Sequence, residues 1–176
     1  FKSGGYNLRN SVDLATFPDA SPKADDETVE TLEFGMKSDF DNGRLNWALF
    51  STVVDDSQRM TNIQDPVSGV AQVVKNAGDI AYRGFELDSV YTLTNTVTIV
   101  ASVGYVHSKY ENLISDLTGD FIIDALDYAL EVPRAAPLTY SLGFNIDGNL
   151  GSWRSITRLS YYHRDKSYYN ENNQGY

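Results

Sequence analysis

From residue 29 onward the chain alternates between bulky apolar residues and small or polar ones, a period of two that marks β-strands with unlike faces. In "VETLEFGMKSDF" (29–40), Leu32, Phe34, Met36 and Phe40 share one parity, while Thr31, Glu33, Gly35, Lys37 and Asp39 take the other. Asp41-Asn42-Gly43 follows, and Asn-Gly favours a tight hairpin because both residues tolerate positive φ. The return run "RLNWALFSTVVD" (44–55) keeps Leu45, Trp47, Leu49 and Val53 together, with Phe50 and Val54 as exceptions. Farther on, Phe85, Leu87, Tyr91 and Leu93 oppose Gly84, Glu86, Asp88 and Thr92. After a short turn, Val97, Ile99, Ala101, Val103 and Tyr105 oppose Thr98, Ser102, Gly104 and Ser108. The run 137–146 sets Leu138, Tyr140, Leu142, Phe144 and Ile146 against Thr139, Ser141, Gly143 and Asn145, and a sixth, less regular strand is predicted at 152–163. Helical spacing appears only in "FIIDALDYALE" (121–131), which fits a short loop helix.

Short turns (41–43, 94–96, 147–151) alternate with long connections (9–28, 56–80, 111–136 and one starting near 165), so the turns fall at one end of the sheet and the long loops at the other. Membrane β-barrels have this asymmetry, whereas sandwiches scatter their loop lengths. Aromatics gather near strand ends: Phe40, Trp47, Tyr91, Phe144 and Trp153 by the turns, and Tyr105, Tyr110, Tyr140, Tyr161 and Tyr162 toward the loops. Two such girdles fit the two membrane interfaces. A run such as 97–107 spans about 36 Å at ~3.3 Å per residue. Tilted by ~45°, it rises about 25 Å, the height of an outer-membrane apolar band. The expectation is an all-β, antiparallel transmembrane β-barrel. Phe34, Leu49, Ile99, Val103, Leu142 and Phe144 are then lipid-facing, and Glu33, Lys37, Glu86 and Asp88 line a wet or plugged lumen. Periodicity alone leaves a soluble sandwich or lipocalin-like barrel as the competing reading.

Composition narrows the function. With 14 Lys+Arg against 24 Asp+Glu among 176 residues, the net charge of −10 argues against a nucleic-acid partner. The chain has no cysteine, which excludes disulfides and thiolate metal sites. It opens on Phe1 and stops in the polar run "YYNENNQGY", so a piece of a longer polypeptide is expected.

Several ordered segments then become informative together: "FKSGGYN", "ETVETLEFGMKSDFDNGRLNWALFSTVVDD", "NAGDIAYRGFELD" and "VPRAAPLTYSLGFN". They resemble the C-terminal half of the barrel of TonB-dependent receptors, with Arg83 standing where Lys is usual and "PRAAP" replacing a tighter Asn-Ala-Pro. The resemblance implies that residues 1–176 are a fragment of a 22-stranded barrel, about six strands plus a partial one, without the plug domain and terminal strand. It also implies energy-coupled import driven by TonB through an N-terminal plug, most often of a ferric siderophore, in the outer membrane of a Gram-negative bacterium. The alternatives from other classes are a passive porin-type or adhesive barrel and a soluble all-β carbohydrate-binding module.

No catalytic constellation is predicted. Of the two histidines, His107 falls on the lipid-facing parity, and in the "HRD" run (163–165) adjacent residues of a strand point to opposite faces. No cofactor is predicted. The spacing of Asp116, Asp120, Asp124 and Asp127 does not match a calcium loop, so no metal site is expected. Ligand contact is the reasonable use of the outer loops. Aromatic rings bury area with little entropy loss and guanidinium pairs with anionic groups, which singles out Tyr110, Tyr128, Arg134, Tyr162, Arg164, Tyr168 and Tyr169.

Overall fold

A computed structural model describes residues 1–6, 23–65, 69–120 and 122–173. Two short strands, β1 (Gly5–Tyr6) and β2 (Lys23–Ala24), pair with each other; most of the expected 9–28 connection lies outside the described residues. Six long strands build one antiparallel sheet: β3 (Thr28–Phe40), β4 (Gly43–Asp55), β7 (Gly78–Thr94), β8 (Val97–Leu113), β9 (Leu138–Leu150) and β10 (Trp153–Arg164). Their order is β10-β9-β8-β7-β4-β3, so β3 and β10 are open edges among the described residues. Between β4 and β7 a separate hairpin of β5 (Gln58–Asp65) and β6 (Gly69–Asn76) rises from the loop end, and a single-turn helix α1 (Ala125–Tyr128) lies in the β8–β9 connection.

Directly paired residues of antiparallel strands share a face, so the register sorts the side chains. One row across the sheet runs Phe34, Leu49, Phe85, Tyr105 and Leu138, and the rows beside it hold Trp47, Val103 and Tyr140, then Ala101, Leu142 and Tyr161, then Tyr91, Ile99, Phe144 and Leu159. This apolar face carries edge-on and stacked ring pairs, Phe34–Trp47 at 5.7 Å and Phe85–Tyr105 at 5.9 Å between centroids. The opposite face holds Glu33 beside Phe50, Lys37 beside Asn46, Glu86 between Ala48 and Gly104, and Asp88 between Asn46 and Ser102. Cross-strand hydroxyl pairs, Ser102–Ser141 at 2.7 Å and Thr31–Thr52 at 2.9 Å, add to its polarity.

Beyond these neighbouring rings, nothing among the described residues covers the mid-sheet of the apolar face: Phe34 is 69% and Leu49 52% exposed. The buried apolar cluster lies instead at the loop end, where Ala77, Ile80, Tyr110, Leu113, Leu117 and Val132 pack together. Full burial of Ile80 and Val132 contributes about 1.5–3 kcal/mol each. The polypeptide thus has its core where it leaves the sheet.

Four expectations are corrected. The 56–80 stretch, expected as one long connection, contains the β5–β6 hairpin and, from Gly78, the start of β7. Asp147–Leu150 continue β9, and the turn falls at Gly151-Ser152. Strands β7 and β8 run 17 residues each, beyond the predicted 85–93 and 97–107. At ~3.3 Å per residue and ~45° of tilt they rise about 40 Å, well above a band of about 25 Å. Finally, Tyr110 and Tyr162 belong to the polar face, opposite Ile80 and Ser141, so they do not join the outer girdle.

Candidate functional site

Two depressions on the polar face are lined by described residues. The one nearer the short turns, about 210 Å³, is lined by Arg44, Asn46, Asp88, Val90, Ser102 and Ser141. The one nearer the long loops, about 370 Å³, is lined by Phe50, Glu86, Thr139, Tyr162 and Arg164 of the sheet and by Arg134 of the loop entering β9. The off-parity Phe50 lies over Gly84: a Cβ at Gly84 would stand 2.6 Å from the Phe50 ring, so the missing side chain makes room for the floor of the recess.

Arg134 adopts a left-handed backbone (φ 63°), a conformation disfavoured for residues with a Cβ. Its surroundings hold it there. The Arg134 N–H donates to the Tyr168 carbonyl (2.9 Å), and its own carbonyl accepts from Arg164 Nη2 (3.3 Å). Its guanidinium stands 4.6 Å from the centre of the Tyr169 ring, a cation–π contact worth about 0.5–1 kcal/mol at an exposed position. Neither Arg134 nor Arg164 forms an ion pair with a carboxylate among the described residues. The recess therefore offers two guanidiniums, aromatic surface from Phe50 and Tyr162, and one carboxylate, Glu86. Such a set can grip a planar anionic group by paired N–H donors while a ring packs beside it.

Five of the seven candidates converge here: Arg134, Tyr162 and Arg164 line the recess, and Tyr168 and Tyr169 engage Arg134. Two do not. Tyr110 is 3% exposed within the buried cluster and donates its hydroxyl to Glu171 (2.5 Å), while the Tyr128 hydroxyl accepts the Leu113 N–H (3.1 Å). Sequence reasoning left Phe50, Arg59 and Glu171 out; only Phe50 had a signal, its wrong parity. The acidic loop residues serve the backbone. Asp116 accepts from the Gly119 N–H and the Thr118 hydroxyl, Asp120 from the Ile122 N–H, and Asp124 caps α1, while buried Asp127 accepts the N–H groups of Leu117, Thr118 and Asp124. Burial works against ionisation of Asp127, but these backbone donors outweigh it and hold its carboxyl below the usual range. Among the described residues no cluster of three or more His, Asp or Glu could hold a metal ion. In "HRD", His163 and Asp165 are two apart and share a face, contrary to expectation, and hydrogen-bond at 2.9 Å. The ring of His163 stacks on Tyr140 at 4.8 Å.

A two-faced antiparallel sheet with short turns at one end, tall loops at the other and an apolar face left uncovered by the described residues is a section of a β-barrel wall of the outer-membrane kind. The family described as "TonB dependent receptor-like, beta-barrel" matches residues 3–176, and the chain belongs to it. Members of this family are outer-membrane transporters of Gram-negative bacteria, not enzymes, which removes the soluble-module reading. Among solved structures the chain is similar to the ferric yersiniabactin uptake receptor FyuA from Yersinia pestis, with 18% identity and a TM-score of 0.72, over 98% of this chain and 23% of that one. It is also similar to the copper transporter OprC, with 22% identity and a TM-score of 0.53, over 68% of this chain and 16% of that one. The chain thus spans about a quarter or less of either structure's length.

Proposed function

We propose that the whole receptor imports a scarce nutrient with energy delivered by TonB through a plug domain, and that its cargo is a ferric siderophore. The observation that carries this reading is the recess at the loop end of the polar face, where Arg134 and Arg164 lack carboxylate partners among the described residues. Carboxylate, phenolate and catecholate groups are common in iron chelates, and they are the planar anions that paired guanidiniums accept. The name of the FyuA receptor supports an iron chelate, while that of OprC makes copper the first competitor. In the same reading the apolar face with Phe34, Leu49, Ile99, Val103, Leu142 and Phe144 meets outer-membrane lipid. Glu33, Lys37, Glu86 and Asp88 face the lumen and its plug.

The test is radio-iron accumulation in an iron-limited deletion strain carrying the full-length receptor, with and without tonB. Accumulation is expected to need both genes. The double variant R134A/R164A is expected to lower it at least about tenfold, since each charged hydrogen bond is worth about 1.5–3 kcal/mol. Copper-selective accumulation, or iron uptake indifferent to tonB, would sink the reading.

A further inference from the structure

The segment after β10 touches both arginines of the recess and is then fastened elsewhere. Ser167 Oγ accepts from Arg164 Nη2 (3.5 Å), the Tyr168 carbonyl accepts the Arg134 N–H, and the Tyr169 ring lies beneath the Arg134 guanidinium. Two residues later Glu171, with a side chain only 16% exposed, accepts the Tyr110 hydroxyl and lies 3.6 Å from Arg59 Nη1. Arg59 Nη2 in turn donates to the Tyr82 hydroxyl (3.4 Å). Asn173 brackets the backbone of Glu131: its Oδ1 accepts the Glu131 N–H (2.7 Å) and its Nδ2 donates to the Glu131 carbonyl (2.8 Å). One side chain thereby reproduces the hydrogen-bond pair of a neighbouring strand.

We propose that Glu171 and Asn173 are positioning residues: they hold 165–173 as a strap across the 131–136 loop and so fix Arg134 and Arg164 in the recess. The assignment of the recess to ligand rests on the function proposed above; the mechanical coupling does not. Arg134 is the reason a strap is needed. Its left-handed backbone is intrinsically disfavoured, and although Val132 and Ala136 anchor the loop on either side, the loop's own backbone hydrogen bond at that point among the described residues is the long one from the Ala135 N–H to the Val132 carbonyl, 3.4 Å. Without the Tyr168 carbonyl and the Tyr169 ring, the residue is free to return to a right-handed conformation, which turns its guanidinium away. Glu171 suits the fastening because Tyr110 is set in the buried cluster and Arg59 stands on the separate β5–β6 hairpin. The strap is thus tied to the buried cluster and to the β5–β6 hairpin, neither of which includes Arg134 or Arg164.

The experiment is hydrogen exchange of the full-length receptor in detergent, read by mass spectrometry, for wild type, E171A, E171Q and N173A. In E171A, peptides covering 131–136 and 166–173 are expected to exchange about tenfold faster, the loss of one charged hydrogen bond, while peptides within 97–107 and 138–150 stay unchanged. E171Q keeps an acceptor for the Tyr110 hydroxyl and should recover part of that protection. N173A, at the partly exposed end of the strap, should loosen 131–136 without disturbing the sheet, and decides the matter if E171A misfolds. Exchange of 131–136 at the wild-type rate in both E171A and N173A overturns the proposal. Titration with salicylate, a planar aromatic carboxylate, adds a second readout. E171A and R134A should each weaken binding, and the double variant should be no worse than R134A alone. If salicylate does not bind the wild type while the exchange rates shift, the ligand reading fails and the positioning role stands.

Discussion

Ile99 and Ser102 stand three positions apart on β8 and face opposite ways, Ile99 between Tyr91 and Phe144, Ser102 between Asp88 and Ser141. That difference decides what a charge does at each. With lipid on the Ile99 face, I99R or L142R should cost about 2–4 kcal/mol near mid-bilayer, whereas S102R on the polar face should cost much less. Urea titration of the full-length receptor refolded into liposomes measures both, and equal tolerance at the two sites would refute the lipid-facing assignment. Asp127 gives a prediction of another kind. Its folded pKa lies below the ordinary 3.8 because backbone donors overcome its burial. Its contribution is therefore complete above 3.8 and is lost as the pH falls through the lower, folded value. Limited pepsin digestion should leave the 114–130 loop intact near the ordinary value and cut it as acidification proceeds. In D127N, which cannot supply a carboxylate, the loop should be cut to the same extent across that range. An acid step in D127N equal to wild type would mean that another group carries it.

At the scale of elements, the six long strands were legible because a sheet with unlike surroundings on its two faces must alternate. Leu138, Tyr140, Leu142 and Phe144 could not be read any other way. The β5–β6 hairpin was not legible, and for the converse reason: "QRMTNIQD" and "GVAQVVKN" carry no dominant apolar parity. A hairpin of this kind is specified by backbone pairing, which leaves little trace in composition. The site divides along the same line. Arg134, Tyr162 and Arg164 were legible as residue types suited to a ligand, but the burial of Tyr110 was not, because its partner Glu171 lies 61 positions away. The junction between hairpin and sheet is set by Gly78, whose φ of 122° sits at a register irregularity before Ile80. A Cβ there would stand 2.0 Å from the Asn112 carbonyl oxygen. G78A should therefore lower the yield of folded receptor while G148A, where a Cβ meets nothing within 4 Å, should not. Heat-modifiable gel migration of the two variants makes the comparison.

For the molecule as a whole, the position of the buried core is the organising fact. Ile80, Tyr110 and Val132 are packed at the loop end, and the mid-sheet has no core of its own among the described residues. Stability is thus divided between a protein-like cap of loops and a wall that relies on what surrounds it. The cap should hold its recess geometry in detergents that only crudely imitate a bilayer, and the wall should not tolerate water.

The open edges of β3 and β10 have a consequence for anyone producing residues 1–176 alone. Each edge presents a row of backbone donors and acceptors that no strand among the described residues answers, and in lipid such an edge is untenable. In water it is a template: the β3 edge of one copy meets the β10 edge of the next, and the ribbon that results has again one of each. Nothing in that addition closes. The isolated polypeptide should accordingly grow into sheet-rich polymers whose length rises with concentration. A short peptide matching either edge should act as a terminator, stopping growth at the end it covers.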